Sequence, residues 1–188
     1  MKNTIIAIGN FFIYWAYRIY YFLDIKFKFK IIFYDKSNPL PINDLYAYYS
    51  AFKIFSKAHN DVNQKYDKKY PYAYHLRIVA DYAIRFSYLL DRIERNYSII
   101  GTFGHDGIED ARLTWNDIAK MFGNVIADII YRCTNEKGKT RKDRANDKFY
   151  RELMEDDIAT YVKICDRAGN FYHSKKTGSD MYFKYQRE

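Results

Sequence analysis

Chain breakers are scarce in this sequence: its 188 residues include only 3 prolines and 8 glycines. A sandwich of many short strands needs frequent turn residues, so the scarcity favours a helical domain. Cysteine is scarcer still. Cys133 and Cys165 fit neither a disulfide framework nor a zinc-knuckle spacing, which leads us to expect reduced thiols and a cytoplasmic protein. There is no glycine-rich phosphate loop and no internal repeat, so neither a P-loop nor a repeat array is expected.

Aromatic and basic residues are plentiful. The chain has 21 Tyr, 14 Phe and a formal net charge of +8. Such a balance suits an anionic partner such as a nucleotide, a nucleic acid or a lipid headgroup. A solvated, lysine-rich surface would give the same number. No aromatic-basic surface pattern stands out from the general Tyr and Lys excess, so nucleic acid is not the expected partner. The length fits one domain with a sizeable core.

Residues 1–40 read differently from the rest and form an N-terminal extension, with the main domain at 41–188. Ile5 to Leu23 contains a single charge, Arg18, and is just long enough to span a bilayer. Asn10, Arg18 and the tyrosines make it a poor span. No small-residue cleavage site follows, so a secretory signal is not expected. Residues of AT-rich codons (Ile, Lys, Asn, Phe, Tyr) fill 25 of the first 35 positions, as translated upstream sequence would. Three readings stay open: an unpacked extension, a packed extra element, and membrane contact through residues 5–23.

From Asn43 onward the hydrophobic period is helical, and the fold class expected is an all-α bundle. Leu45, Tyr48, Phe52, Phe55 and Ala58 share one face, with Asn43 or Asp44 as the cap. A polar, lysine-rich loop, NDVNQKYDKKYP, follows. The next helix, 75–90, puts Leu76, Val79, Ala80, Ala83 and Ile84 on one side. YSIIGTFGHDGIED predicts a third helix. TWNDIAKMFG predicts a short one, with Thr114 as N-cap, Asp117 in the capping-box position and Gly123 past its end. Further helices are expected at 124–133, about 143–155, and 157–172 starting from Asp156 or Asp157.

GHDGIED, residues 104–110, crowds one imidazole and three carboxyl groups, and neighbouring carboxylates repel one another unless something neutralises them. On a helix His105 and Glu109 are four apart, as are Asp106 and Asp110, so each pair is stacked one turn apart. His75 opens an apolar helix where an imidazole has no packing role. Asp166 falls mid-way along the apolar face of ATYVKICDRAGN, where a lone carboxylate is costly unless paired or metal-bound. His75, His105, Asp106 and Asp166 make a two-imidazole, two-carboxylate set that suits Mn²⁺, Fe²⁺ or Co²⁺.

The order His75, His105-Asp106, Asp166 resembles the HD phosphohydrolase superfamily. HDGIED is similar to the HDxxED of the hydrolase domain of Rel/SpoT alarmone enzymes and of small stand-alone alarmone hydrolases. AFKIFSKAH (51–59) resembles the family's opening helix, and PYAYH (71–75) its PYxxH. LTWNDIAKMFGNVIADIIYRCT (113–134) resembles the segment after the HD motif, and VKICDRAGN (162–170) the KxADKxxN signature. SKKTGSDMYFKYQRE resembles the ending of small HD proteins of phage genomes. The likeness spans about residues 44–188.

The resemblance implies an HD-type helical bundle around one metal site and a metal-dependent hydrolase. Its expected reaction removes the 3′-pyrophosphate from guanosine 3′,5′-bispyrophosphate-type alarmones of the stringent response. It implies His75, His105, Asp106 and Asp166 as ligands of Mn²⁺ or another divalent transition metal. Glu109 and Asp110 then position and deprotonate the attacking water, and Tyr72, Asn170 and Tyr185 touch the nucleotide. KGKTRKDR (137–144) supplies cations for the departing pyrophosphate, with Lys139, Arg141, Lys142 and Arg144 the candidates. The chain departs from the family in three places. Leu76 stands where proline is usual, NQKYDKKY lacks the family's glycine, and Gly104 replaces a bulky aliphatic. The alternatives are an HD hydrolase acting on an adenosine analogue or other nucleotide, and a nucleotide-binding module with a degenerate site.

Overall fold

The computed structural model describes residues 42–135 and 138–186. The extension at 1–40, with the apolar run at 5–23, lies outside the described residues. Ten helices and one two-stranded hairpin make up the described chain, so the all-α class expected from the period holds. No helix among the described residues is long and apolar enough to cross a membrane.

The first helix, α1, runs Ile42–Asp61. It already includes Asn43 and Asp44, so neither is its cap; Asp44 sits in the first turn, where a carboxylate complements the helix dipole. The face it buries carries Tyr48, Phe52 and Phe55, and ends in a polar residue, His59. Ala58 is only half-buried, and the side chain of Leu45 lies outside those described. The lysine-rich loop is not irregular throughout. Strands β1 (Lys65–Tyr66) and β2 (Tyr70–Pro71) pair antiparallel in it, and Asp67 and Lys68 adopt positive φ at the turn. The helix α2 (Ala73–Arg85) buries Leu76, Val79, Ala80, Ala83 and Ile84 as the period required, but it ends five residues before the expected 90, where a separate 3-10 turn takes Ser87–Leu89.

The third helix, α3 (Arg92–Gly104), is opened by a capping box of Asp91 and Glu94. It ends earlier than expected. Asp106 takes φ −104, ψ 7, and a separate short helix, α4, spans Gly107–Asp110. HDGIED therefore straddles a helix break and does not lie along one helix. Gly104 makes the local packing possible: a Cβ there would overlap the Ile130 side chain and the ring of Phe55. Those two side chains fill the space that a bulky residue before the HD pair would need.

Two helices follow as expected, α5 (Trp115–Phe122) with its Thr114–Asp117 capping box and α6 (Asn124–Cys133). The helix expected at 143–155 is split into α7 (Arg141–Arg144) and α8 (Asp147–Met154). Asn146 causes the break. Its side-chain oxygen accepts from Phe149 N at 3.0 Å, and its amide donates to the Asp143 carbonyl at 3.0 Å, closing one helix and opening the next. The last long helix, α9 (Asp157–Thr177), is capped by Asp156. It continues five residues past the expected end, to Gly178 in the left-handed conformation (φ 66). A short α10 (Met181–Tyr185) closes the described chain.

Helices α3 and α9 form the middle of the bundle: α3 packs on α1, α2, α6 and α9, and α9 on α2, α3, α6, α8 and α10. Phe55, Leu76, Val79, Phe103, Ile129, Ile130 and Val162 are sealed between them. Phe103 meets Phe52 edge-on at 5.5 Å, and Phe55 stacks on Phe122 at 5.4 Å. Interdigitated aromatics of this kind fix helix positions closely. The polar residues set into these same faces are consequently held in place as well.

Candidate metal centre

Helices α2, α3 and α9 each present polar residues toward one point in the bundle. His75 and His105 are buried, and their Nε2 atoms are 3.2 Å apart. Asp106 Oδ2 lies 2.8 Å from His105 Nε2 and 3.6 Å from His75 Nε2. Asp166 Oδ1 lies 3.3 Å from His75 Nε2 and 3.5 Å from His105 Nε2. Residues as distant in sequence as His75 and Asp166 are thus brought within one side-chain cluster.

These spacings fit a divalent ion. Donors about 2.1 Å from one ion, at right or tetrahedral angles, are about 3.0–3.4 Å apart. Donors of His75, His105 and Asp106 lie within 4.8 Å of one another, and Asp166 adds a carboxylate to both imidazoles. The tautomer fits too. His105 Nδ1 is 2.8 Å from the Thr102 carbonyl, which can only accept, so that nitrogen carries the hydrogen and Nε2 is left to bind a metal.

The electrostatics of the metal-free cluster follow from burying unlike charges together. Burial pulls the His105 imidazole down, but Asp106 and Asp166 outweigh it and hold it up at about 10. His75 is raised by the same balance. Burial pushes both carboxyls up, yet the imidazoles and Lys163 keep Asp106 and Asp166 well below the usual carboxylate range.

Beside the cluster opens a cavity of about 220 Å³. Tyr72, Glu109, Asp110, Arg144, Asn170 and Tyr185 line it, together with His75, Asp106 and Asp166 of the cluster. The break after Gly104 sends the adjacent acids in different directions. Glu109 accepts from the Asn135 amide at 2.8 Å. Asp110 Oδ2 accepts from Gln64 Nε2 at 3.2 Å and stands 3.4 Å from the Tyr72 hydroxyl. Burial, then Asp106 and Glu109, push the Asp110 carboxyl up to about 6. Tyr72 also donates a hydrogen bond to Asp106 Oδ2, so it touches acids from which its sequence position separates it. Asn170 donates to Asp166 Oδ1 at 2.6 Å and accepts from Tyr66 at 2.9 Å.

Of the expected cations whose side chains are described, Arg144 lines the cavity. Lys139 is exposed and does not line it. Arg141 and Lys142 belong to α7, but their side chains lie outside those described. The cavity gains two cations not expected from the sequence, Lys163 and Arg167 of α9. Lys163 is buried, donates to the Cys133 carbonyl at 3.0 Å and is 3.8 Å from Asp166. Its position three before Asp166 on one helix was the available signal. Tyr66, stacked on His75 at 4.5 Å, was also unexpected. So was His59, stacked on Tyr72 at 4.1 Å. His59 could have been found from its spacing, because it follows Tyr48, Phe52 and Phe55 on the buried face. Asn135 offered no such signal.

No family model matches the sequence, and no curated protein matches it as a relative.

Proposed function

We propose that this chain is an HD-type, metal-dependent phosphohydrolase that removes the 3′-pyrophosphate from guanosine 3′,5′-bispyrophosphate-type alarmones. The observation that carries the reading is the meeting of two buried imidazoles, 3.2 Å apart, with two carboxylates at the edge of a polar cavity. Buried charges are rarely assembled this way without a partner that uses them. His75, His105, Asp106 and Asp166 would hold the ion, and the two-nitrogen, two-oxygen donor set suits Mn²⁺. An ion bound there supplies a more acidic water and a positive charge for a phosphoryl oxygen.

The protein's own groups do the rest. Asp110, fixed by Gln64 beside the cluster, accepts the proton of the attacking water, a role typically contributing about 10²–10⁴-fold. Glu109 lines the same cavity and is held by Asn135. Arg144, Lys163 and Arg167 line the cavity and offset negative charge that develops on the leaving pyrophosphate. Asn170 and Tyr185 border the space left for the ribose and phosphates. The two cysteines are free and buried, which supports a cytoplasmic setting.

The test is hydrolysis by the purified chain with Mn²⁺ of guanine and adenine nucleotides bearing 3′-pyrophosphates, with products separated by chromatography. Release of pyrophosphate from the guanine substrates is the expected result. Turnover of adenine substrates alone would move the activity to the adenosine analogues. Tight binding without turnover would make the chain a nucleotide-binding module.

A further inference from the structure

Tyr72 occupies an unusual place in the cluster. It has one hydroxyl proton and two carboxylates to give it to: the hydroxyl donates to Asp106 Oδ2 and lies 3.4 Å from Asp110 Oδ2. The ring behind that hydroxyl is held on three sides. His59 stacks on it at 4.1 Å and 17°, the Tyr66 ring is edge-on at 6.2 Å, and the His75 ring is edge-on at 5.3 Å. Asp110, by contrast, is held by little of its own. It ends a four-residue helix, is half-buried, and faces the like charge of Asp106, which would drive it away. A proton shared between two carboxylates offsets that repulsion. Gln64 adds a second donor to the same Asp110 oxygen at 3.2 Å. Both donors come from the ends of the hairpin segment 64–72, so one local unit grips this acid.

We propose that Tyr72 is a positioning residue that clamps Asp110 against the ligand carboxylate Asp106, acting on the reaction through Asp110 and not through contact with the nucleotide. The proposal rests on the hydrolase reading. It differs from the role the resemblance implies for this tyrosine, which is substrate binding.

A double-mutant cycle in the full chain tests the clamp. Tyr72→Phe, Asp110→Asn and the double variant are compared for kcat and KM on guanosine 3′,5′-bispyrophosphate, with bound Mn²⁺ quantified in each. Tyr72→Phe should keep the metal and keep KM within about twofold, while kcat falls about tenfold, as expected for losing a hydrogen bond to a charged group. The double variant should be no slower than Asp110→Asn alone, because the clamp has nothing left to position. Multiplying losses, a raised KM with kcat unchanged, or loss of metal in Tyr72→Phe would each overturn the proposal.

Hydrogen exchange supplies a readout without substrate. Tyr72→Phe should speed exchange at residues 107–111 while α2 and α9 keep their protection. Unchanged exchange there, or loosening throughout the protein, refutes the clamp. A local change together with a wild type that hydrolyses nothing would refute the hydrolase reading and leave the clamp standing.

Discussion

The floor of the cavity and its rim are built from different parts of the chain. The floor is His75, Asp106 and Asp166, with His105 buried against them, set into the long helices or at the end of one, all buried or nearly so and bonded to one another. The rim is Asn135, Arg144 and Tyr185, set on a connecting segment and two short helices, with Arg144 exposed. A buried charge must be partnered, so the floor residues depend on one another. An exposed charge keeps its water and acts alone. Substitutions on the floor should therefore cost far more than those on the rim.

The largest effect is expected from His105→Ala. Removing this donor should cut Mn²⁺ affinity by at least about 100-fold, the upper range for loss of even an outer partner of a ligand, and abolish turnover. Helix content by circular dichroism should persist. Full metal occupancy in the variant would erase the distinction between floor and rim.

A smaller effect sharpens the comparison from beneath the floor. His59 is fully buried with neither ring nitrogen bonded among the described residues. Burial pulls its pKa down to about 4, against about 6.5 in an unfolded chain. The unfolded state therefore binds the proton more readily. This group's contribution to stability is complete above about pH 6.5 and is lost as pH falls toward 4, by about 3 kcal/mol in total. His59→Phe keeps a ring against Tyr72 and removes the titration. Urea unfolding of wild type and variant at pH 7.5, 6 and 5 should show wild type losing more stability than the variant as pH falls. Parallel losses would mean that His59 already has a partner for its proton.

The smallest effects belong to the rim. Arg144→Ala should raise KM about tenfold, as for one charge-assisted hydrogen bond to phosphate, with metal content unchanged. Lys139→Ala, away from the cavity, should change KM less than about twofold. Equal effects would mean that the loop closes over substrate as a whole.

The floor is legible in the sequence because it breaks the helical pattern. His75 and Asp166 interrupt apolar faces at spacings that packing alone would not choose, and His105-Asp106 crowds charge beside glycine. Capping groups at Thr114 and Asp156 are legible for a similar reason: the groups that satisfy a helix end are neighbours in sequence. The hairpin at 65–71 is not. Its four strand residues satisfy each other's backbone across a turn with positive φ at Asp67 and Lys68, residue types that give no glycine signal.

By itself, then, the sequence determined the helical class, the helix ends marked by local caps such as Thr114 and Asp156, and which four polar residues had to find one another. These depend on periods and pairs a few residues long. Only the tertiary structure decided that the HD motif breaks after Gly104, that Glu109 turns to Asn135 while Asp110 turns to Tyr72 and Gln64, and that Lys163 and Arg167 of α9 line the cavity where Lys139 does not. Beside the break, Phe55 and Ile130 fill the space next to Gly104, and those residues come from helices far apart in the chain. Local spacing fixes which side chains share a face. Packing between helices fixes which of them meet.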